Sequence, residues 1–118
     1  MRRILVLLTG LTLLLGAGGA RAATGAPAIV VIAVESYRPV TVTVHHGGKV
    51  TFLNADAATL TFHTASYPVG CTPGTCVWTT PLLTIGKPSA QVKITLPPGT
   101  YTFYCRIHTF MRGRVKVT

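Results

Sequence analysis

The segment from Cys105 to Met111 contains the residues whose types and spacing are best suited to chemistry. It reads Cys-Arg-Ile-His-Thr-Phe-Met, so a thiol, an imidazole and a thioether recur at every third position, at Cys105, His108 and Met111. Donors this close along the chain can converge on one metal ion. One cysteine and two histidines in a trigonal set, with a weak and distant methionine, are the donors of blue copper sites that transfer electrons. The segment therefore predicts a copper site that needs a second histidine.

The second histidine must come from elsewhere in the chain. His63 ends an apolar stretch and precedes Thr64, which makes it the best candidate. His45 and His46 precede a Gly-Gly turn, and we expect them to be solvated. A lone cysteine or methionine in a β protein more often packs in the hydrophobic core than binds a metal. The spacing with His108 is what favours the metal site over that simpler interpretation.

These motifs resemble the plastocyanin-like blue (type 1) copper proteins of the cupredoxin superfamily, and the amicyanins most closely. The resemblance rests on the Cys-x-x-His-x-x-Met spacing followed by Arg112 and Gly113, and on the earlier segments Val50 to Asn54, Asp56 and His63-Thr64. It covers nearly the whole chain after the first two dozen residues. Two segments depart from the amicyanin pattern: a longer stretch between Asp56 and His63, and a short loop between two further cysteines.

The resemblance implies a Greek-key β-sandwich with one mononuclear type 1 copper ion. The copper ligands that it implies are His63, Cys105, His108 and Met111. Thr64 would donate its backbone N–H to the thiolate sulfur, and Asn54 and Asp56 would hold the surrounding loops.

The elements that must position these residues are predicted to be β-strands. Apolar and β-branched residues alternate with polar ones, and Pro and Gly separate the runs. The predicted strands are Ala28 to Val34, Pro39 to His45, Lys49 to Asn54, Thr61 to Thr64, Cys76 to Thr80, Ser89 to Leu96, Thr100 to Cys105 and Gly113 to Thr118. No segment has a helical period. Seven to eight short strands predict an all-β fold, an antiparallel β-sandwich.

Alternation along the last two strands predicts which side chains face the core. Phe103 and Cys105 share one face of their strand, and Tyr104 lies on the other. Val115 and Val117 are the inward residues of the final strand. We therefore expect Cys105 to point inward at one end of the sandwich.

The three cysteines pose a question of pairing. Cys71 and Cys76 bracket Thr-Pro-Gly-Thr, a strong turn signal that can bring two cysteines within bridging distance, so we expect a disulfide between them. Cys105 is then left free. A free thiol in an oxidising compartment is a liability unless something such as a metal occupies it.

The first 22 residues read as a cleaved signal peptide, and residues 23–118 as a single domain. A basic start at Arg2-Arg3 precedes a short apolar run, and Ala20-Arg21-Ala22 offers the small-x-small cleavage pattern. The run is shorter than a membrane-spanning helix requires, so an uncleaved anchor is the alternative. We expect a periplasmic or otherwise exported protein with no membrane span after cleavage.

The net charge of the mature chain indicates what kind of partner it would bind. Cleavage leaves eight basic side chains against two acidic ones, Glu35 and Asp56, a charge of +6. Such a balance favours a redox partner with an acidic docking surface. Export and the scattered positions of the charges argue against a nucleic-acid partner. We expect a monomer.

The sequence predicts a one-electron carrier between redox partners. Electrons would pass through the solvent-facing edge of His108 within an apolar patch, and Arg106 and Arg112 would steer the partner. Phe110 either packs against the domain or helps to form the rim of that patch. A copper-binding chaperone or copper-resistance protein is the alternative. An enzyme is not expected, because a copper oxidase or nitrite reductase needs further copper sites and a longer chain. The ligands would also accept zinc during expression.

Overall fold

The computed structural model of the protein describes residues 25–57 and 61–118, and the predicted signal peptide lies outside these residues. The described part of the chain forms nine strands: β1 (Ala28–Ala33), β2 (Ser36–Arg38), β3 (Thr41–Val44), β4 (Lys49–Asn54), β5 (Ser66–Tyr67), β6 (Trp78–Thr79), β7 (Val92–Lys93), β8 (Gly99–Tyr104) and β9 (Arg112–Val117). Within the described ranges, no helix is long and apolar enough to cross a membrane.

The strands form two sheets. One has four strands in the order β2-β1-β4-β7, and the other has five in the order β3-β9-β8-β5-β6. This all-β arrangement confirms the predicted fold class. The prediction of an antiparallel sandwich was wrong for two pairs, because β1 pairs with β4 and β3 with β9 in parallel. Pairing partners far apart in sequence leave no local signal of strand direction.

The core lies between the sheets and follows the predicted alternation. In β9 every second residue is buried, with Val115 and Val117 facing inward. Phe52 of β4 and Phe103 of β8 are fully buried, and their rings meet edge to face with centroids 5.4 Å apart. Burying side chains of this size stabilises the fold by about 1.5–3 kcal/mol each. This packing fixes the ends of β4 and β8, which lead into the candidate site.

The number of strands differs from the prediction, and one predicted strand is absent from the described residues. The described residues contain nine strands rather than seven to eight, because the short β2 and β5 were missed. The predicted strand Thr61 to Thr64 does not form, and its one ladder contact is an isolated bridge between His63 and Leu83. The amide of Asn54 donates to Thr61 O at 3.0 Å and to Leu83 O at 2.8 Å. A side chain therefore satisfies the Thr61 carbonyl, which a strand would have offered to a neighbouring strand.

Tyr104 is buried although it lies on the outer face of β8. A disulfide joins Cys71 and Cys76, and the loop that it closes covers this tyrosine. The Tyr104 hydroxyl donates to Cys71 O at 2.6 Å. Cys105 is the free cysteine, and it is buried.

The sheet edges are short. The four-stranded sheet ends at β2 and β7, and the five-stranded sheet ends at β3 and β6. At the β7 edge, Lys93 pairs in register with Lys49 of β4. Both lysine side chains lie at exposed positions.

Candidate metal centre

The loop between β8 and β9 supplies three of the predicted ligands. Cys105 follows the last residue of β8, and Met111 precedes the first residue of β9. Two backbone hydrogen bonds close the loop, from Met111 N to His108 O at 2.8 Å and from Cys105 N to Met111 O at 3.3 Å. Cys105 and Met111 are buried, whereas His108 keeps an exposed edge. A tight hairpin connection therefore holds the thiol, imidazole and thioether at one end of the sandwich.

The structure brings His63 to this loop. The Cys105 sulfur lies 4.0 Å from His63 Nδ1 and 3.9 Å from His108 Nδ1. The three donor atoms all lie within 4.8 Å of one another. His63 and Cys105 are fully buried, so both donors are shielded from water.

These separations can be tested against the size of a metal ion. A first-row metal such as zinc binds sulfur at about 2.3 Å and imidazole nitrogen at about 2.0 Å, which in a trigonal plane places the donors about 3.7 Å apart. The observed 3.9 and 4.0 Å are close to that value. One thiolate, two imidazoles and a nearby thioether are also the donors that type 1 copper requires. The residues present therefore fit a single copper ion.

Asn54 and Asp56 hold the segment that carries His63. Besides its bonds to Thr61 O and Leu83 O, the Asn54 side chain accepts from Asp56 N at 3.0 Å. Leu83 in turn exchanges backbone hydrogen bonds with His63 in both directions. The buried end of β4 thus ties together the segments around His63.

The Cys105 sulfur receives two backbone N–H groups. Thr64 N and His108 N each lie 3.4 Å from Sγ. The Tyr37 hydroxyl donates to Thr64 O at 2.5 Å and so orients the same residue. Burial raises the pKa of the Tyr37 phenol far above its ordinary value, and the nearby Cys105 thiolate raises it further. Tyr37 therefore remains a hydrogen-bond donor over the physiological pH range.

Each candidate histidine has a carboxylate near its outer nitrogen. Asp56 Oδ2 lies 3.0 Å from His63 Nε2, and both residues are buried. Glu35 Oε1 lies 3.8 Å from His108 Nε2. No sequence motif singles out Glu35 or Tyr37. The one available signal was that Glu35 is one of only two acidic residues in the chain.

An aromatic side chain lies beside the exposed edge of His108. The side chain of His108 is 18% exposed, and the Phe110 ring meets it edge to face at 6.1 Å between centroids. Phe110 itself is 66% exposed, and Ile107 and Leu82 are also well exposed.

The two arginines of this region differ in their environment. Arg106 is half-buried, and its guanidinium donates to Ser66 Oγ, Thr79 Oγ1 and Thr80 O, each at 3.2 Å. Arg112 is exposed, and its Nε donates to Thr109 O at 3.0 Å. Arg106 thus braces the ligand loop against β5 and β6, while Arg112 presents its charge at the surface.

Comparison with known proteins gives a consistent result. A family model described as a cupredoxin-like domain matches residues 5–117. A reduced Cu(I) form of an amicyanin mutant has a TM-score of 0.63 and 27% identity, covering 78% of this chain and 82% of that one. An oxidised amicyanin mutant has a TM-score of 0.63 and 26% identity, covering 82% of this chain and 86% of that one. No curated protein matches the sequence significantly.

An enzyme also shares the fold over part of its length. The copper-containing nitrite reductase NirK from Thermus scotoductus SA-01 has a TM-score of 0.63 and 27% identity, over 86% of this chain but only 24% of the reductase.

The chain therefore belongs to the cupredoxin-like family, and within it to the blue copper proteins. It resembles amicyanin in both sequence and structure, as its ligand-loop motif predicted. The cofactor that this family and this donor set define is one type 1 copper ion.

Proposed function

We propose that the protein is an exported one-electron carrier whose type 1 copper is bound by His63, Cys105, His108 and Met111. The observation that carries the proposal is the convergence of Cys105 Sγ with the Nδ1 atoms of both histidines, within 4.8 Å, at a partly exposed end of the sandwich. Residues 1–22 act as the signal peptide, and the mature chain works in the periplasm or an equivalent compartment as a monomer.

Bound copper supplies a Cu(I)/Cu(II) couple at this donor set. The chain's own residues keep the donors in one arrangement. Two backbone N–H groups orient the Cys105 sulfur, and the hydrogen bonds of Asn54 hold the His63 segment in place. Because a fully buried core supports these groups, they have little freedom to rearrange when the charge changes. Of the four proposed ligands, only His108 has a side chain that reaches the surface. The electron therefore leaves through the edge of the His108 imidazole.

The partner docks on the surface around the His108 edge, where Phe110 lies and where Ile107, next in the chain to His108, is also exposed. Electron-transfer encounters bury small interfaces, so a patch of this kind is sufficient. The basic chain, with Arg112 exposed beside the patch, favours an acidic partner. Electrostatic steering of this type raises the association rate and weakens with salt. Arg112→Gln should reduce the rate and its salt dependence, and Lys116→Gln, at the far end of β9, is the matched control.

Visible spectroscopy with voltammetry tests the proposed function. The mature chain from Ala23 is loaded with Cu(II) and examined for an intense thiolate-to-copper band that bleaches reversibly on reduction. His108→Ala and Cys105→Ser should each abolish the band. His46→Ala removes an exposed histidine at the opposite end of the domain and should leave the band unchanged.

The outcomes separate the candidate functions. A reversible one-electron wave supports the carrier. Tight copper binding with no reversible wave would instead indicate copper transport or resistance. A colourless protein would overturn the ligand assignment. Nitrite reduction is not proposed, because the chain spans only 24% of the reductase that it resembles.

A further inference from the structure

We propose that Glu35 is a positioning residue for His108, and that its carboxylate fixes the imidazole in its ligating form and lowers the reduction potential. This inference rests on the proposed function. The chain has only two acidic residues, and each lies against one histidine of the centre. Eight basic residues after position 23 could have taken these carboxylates as surface partners. The concentration of both negative charges at the candidate ligands is what calls for explanation.

The two nitrogens of the His108 ring face different groups. Nδ1 lies 3.9 Å from the Cys105 sulfur, and Nε2 lies 3.8 Å from Glu35 Oε1. A carboxylate beside Nε2 favours the tautomer that carries the proton there, which leaves the Nδ1 lone pair directed at the metal position. At 3.8 Å the contact is electrostatic and too long for a direct hydrogen bond. Glu35 therefore selects the ligating tautomer and holds the ring by its outer edge.

The backbone holds Glu35 in an unfavourable conformation. Val34 and Glu35 both have positive φ angles, 50° and 51°, in the turn between β1 and β2. The left-handed region is costly for a β-branched residue such as valine, and hairpin turns with two such residues normally use Asn or Gly. The turn persists here because Glu35 N donates to Asp56 Oδ2 at 2.9 Å. Backbone strain of this kind is characteristic of functional positions.

Asp56 therefore connects the two histidines. Its Oδ2 atom contacts His63 Nε2 and also accepts from the backbone of Glu35, whose side chain reaches His108. One buried carboxylate thus supports the first histidine and the turn that serves the second. The β1–β2 turn therefore belongs structurally to the candidate metal centre, although it lies some thirty residues before His63 in the sequence.

The sign of the effect on the potential follows from charge. A negative charge near the metal stabilises Cu(II) more than Cu(I), which lowers the potential. The Glu35 side chain is 35% exposed, so solvent reduces the effect without removing it. Glu35→Gln keeps the size of the side chain and removes the charge. We expect a several-fold shift toward Cu(I), and a tenfold shift corresponds to about 59 mV for a one-electron couple.

Voltammetry of the copper-loaded protein tests the charge effect. Glu35→Gln should raise the potential, and Glu35→Asp, with the charge kept on a shorter side chain, should give an intermediate value. Thr95→Lys is the control, because it changes the net charge equally from an exposed site beside the turn that precedes β4, at the opposite end of that strand from Asn54. Equal shifts in Glu35→Gln and Thr95→Lys, or no shift in Glu35→Gln, would overturn the inference.

A second measurement tests the positioning role without copper. Imidazole ¹⁵N chemical shifts of the metal-free protein should show His108 as the Nε2–H tautomer, and a mixture of tautomers in Glu35→Gln. An identical tautomer in both proteins would remove the positioning role. Every Glu35 variant should keep the blue band, so the inference about Glu35 can fail while the copper site remains intact. Failure of the proposed function would instead appear as a colourless parent protein.

Discussion

The hydroxyl of Tyr104 donates a hydrogen bond to Cys71 O at 2.6 Å, which seats the disulfide loop on the residue that precedes Cys105. Because Tyr104 is buried by this contact, the loop covers the outer face of β8 directly behind the ligand loop. The contact joins a local stabilising element to the frame of the metal centre, yet none of its atoms belongs to the donor set.

Removal of the disulfide should therefore lower stability and spare the copper. The bond closes a loop with a sequence separation of 5, for which loop-closure entropy gives about 2 kcal/mol. We expect the double variant Cys71→Ser/Cys76→Ser to lose about that much unfolding free energy in chemical denaturation while it keeps the blue band. It leaves Cys105 as the lone cysteine, so mispaired disulfides cannot confuse the result. Loss of the band in a folded double variant would contradict this separation.

Tyr37 gives stability a specific dependence on alkaline pH. Burial, reinforced by the Cys105 thiolate, raises the pKa of Tyr37 above the value of about 10 that the unfolded chain has. The contribution of Tyr37 to the free energy of unfolding is fully present below pH 10. Above pH 10 this contribution falls, because only the unfolded state releases the phenol proton. Each further pH unit costs about 1.4 kcal/mol until the folded pKa is reached. Tyr37→Phe should show a shallower decline between pH 9 and 11 in urea titrations, and identical slopes would refute the assignment.

Gly113 should not tolerate a side chain. It lies opposite Phe103 in the β8–β9 register, and a Cβ there would overlap the Phe103 ring. Since this ring is fully buried, it cannot move aside. Gly113→Ala should cost about 1–3 kcal/mol by overpacking, measured by thermal unfolding. Gly74→Ala, where open space surrounds the new methyl group, is the control and should change stability by less than about 0.5 kcal/mol.

Copper removal should destabilise the protein. A ligand that binds only the folded state adds about 4 kcal/mol when its concentration is a thousand times its dissociation constant. The metal-free protein should unfold at a lower temperature than the copper form by calorimetry. Cys105→Ser removes the thiolate, so copper should then give a much smaller shift. An equal shift in both proteins would place the stabilising copper elsewhere, and His45 and His46 would be the first residues to substitute.

The sequence predicts well what is encoded locally. Alternation along β9 identified Val115 and Val117 as core residues, and the three-residue spacing brought Cys105, His108 and Met111 into one loop. Both patterns follow from strand geometry within a few residues.

Features that depend on contacts between distant segments of the chain were harder to predict from the sequence. The sequence pattern around His63 suggested a strand, but the Asn54 side chain takes up the carbonyl that such a strand would need. Glu35 reaches His108 only through a strained turn held by Asp56, and neither the strain nor the hydrogen bond has a sequence signature. Parallel pairing of β1 with β4 depends likewise on segments that meet only in the folded state.

The edges of the two sheets bear on how the protein behaves at high concentration. An exposed edge strand offers unpaired backbone groups that another chain can join, which is a common route to aggregation. Here β6 and β7 are two residues long, and Lys93 beside Lys49 adds like charges at one rim. A second molecule that approached this edge would meet little backbone to pair with and a repulsive field. The four-stranded sheet therefore offers a poor template for edge-to-edge addition of a second molecule at β7.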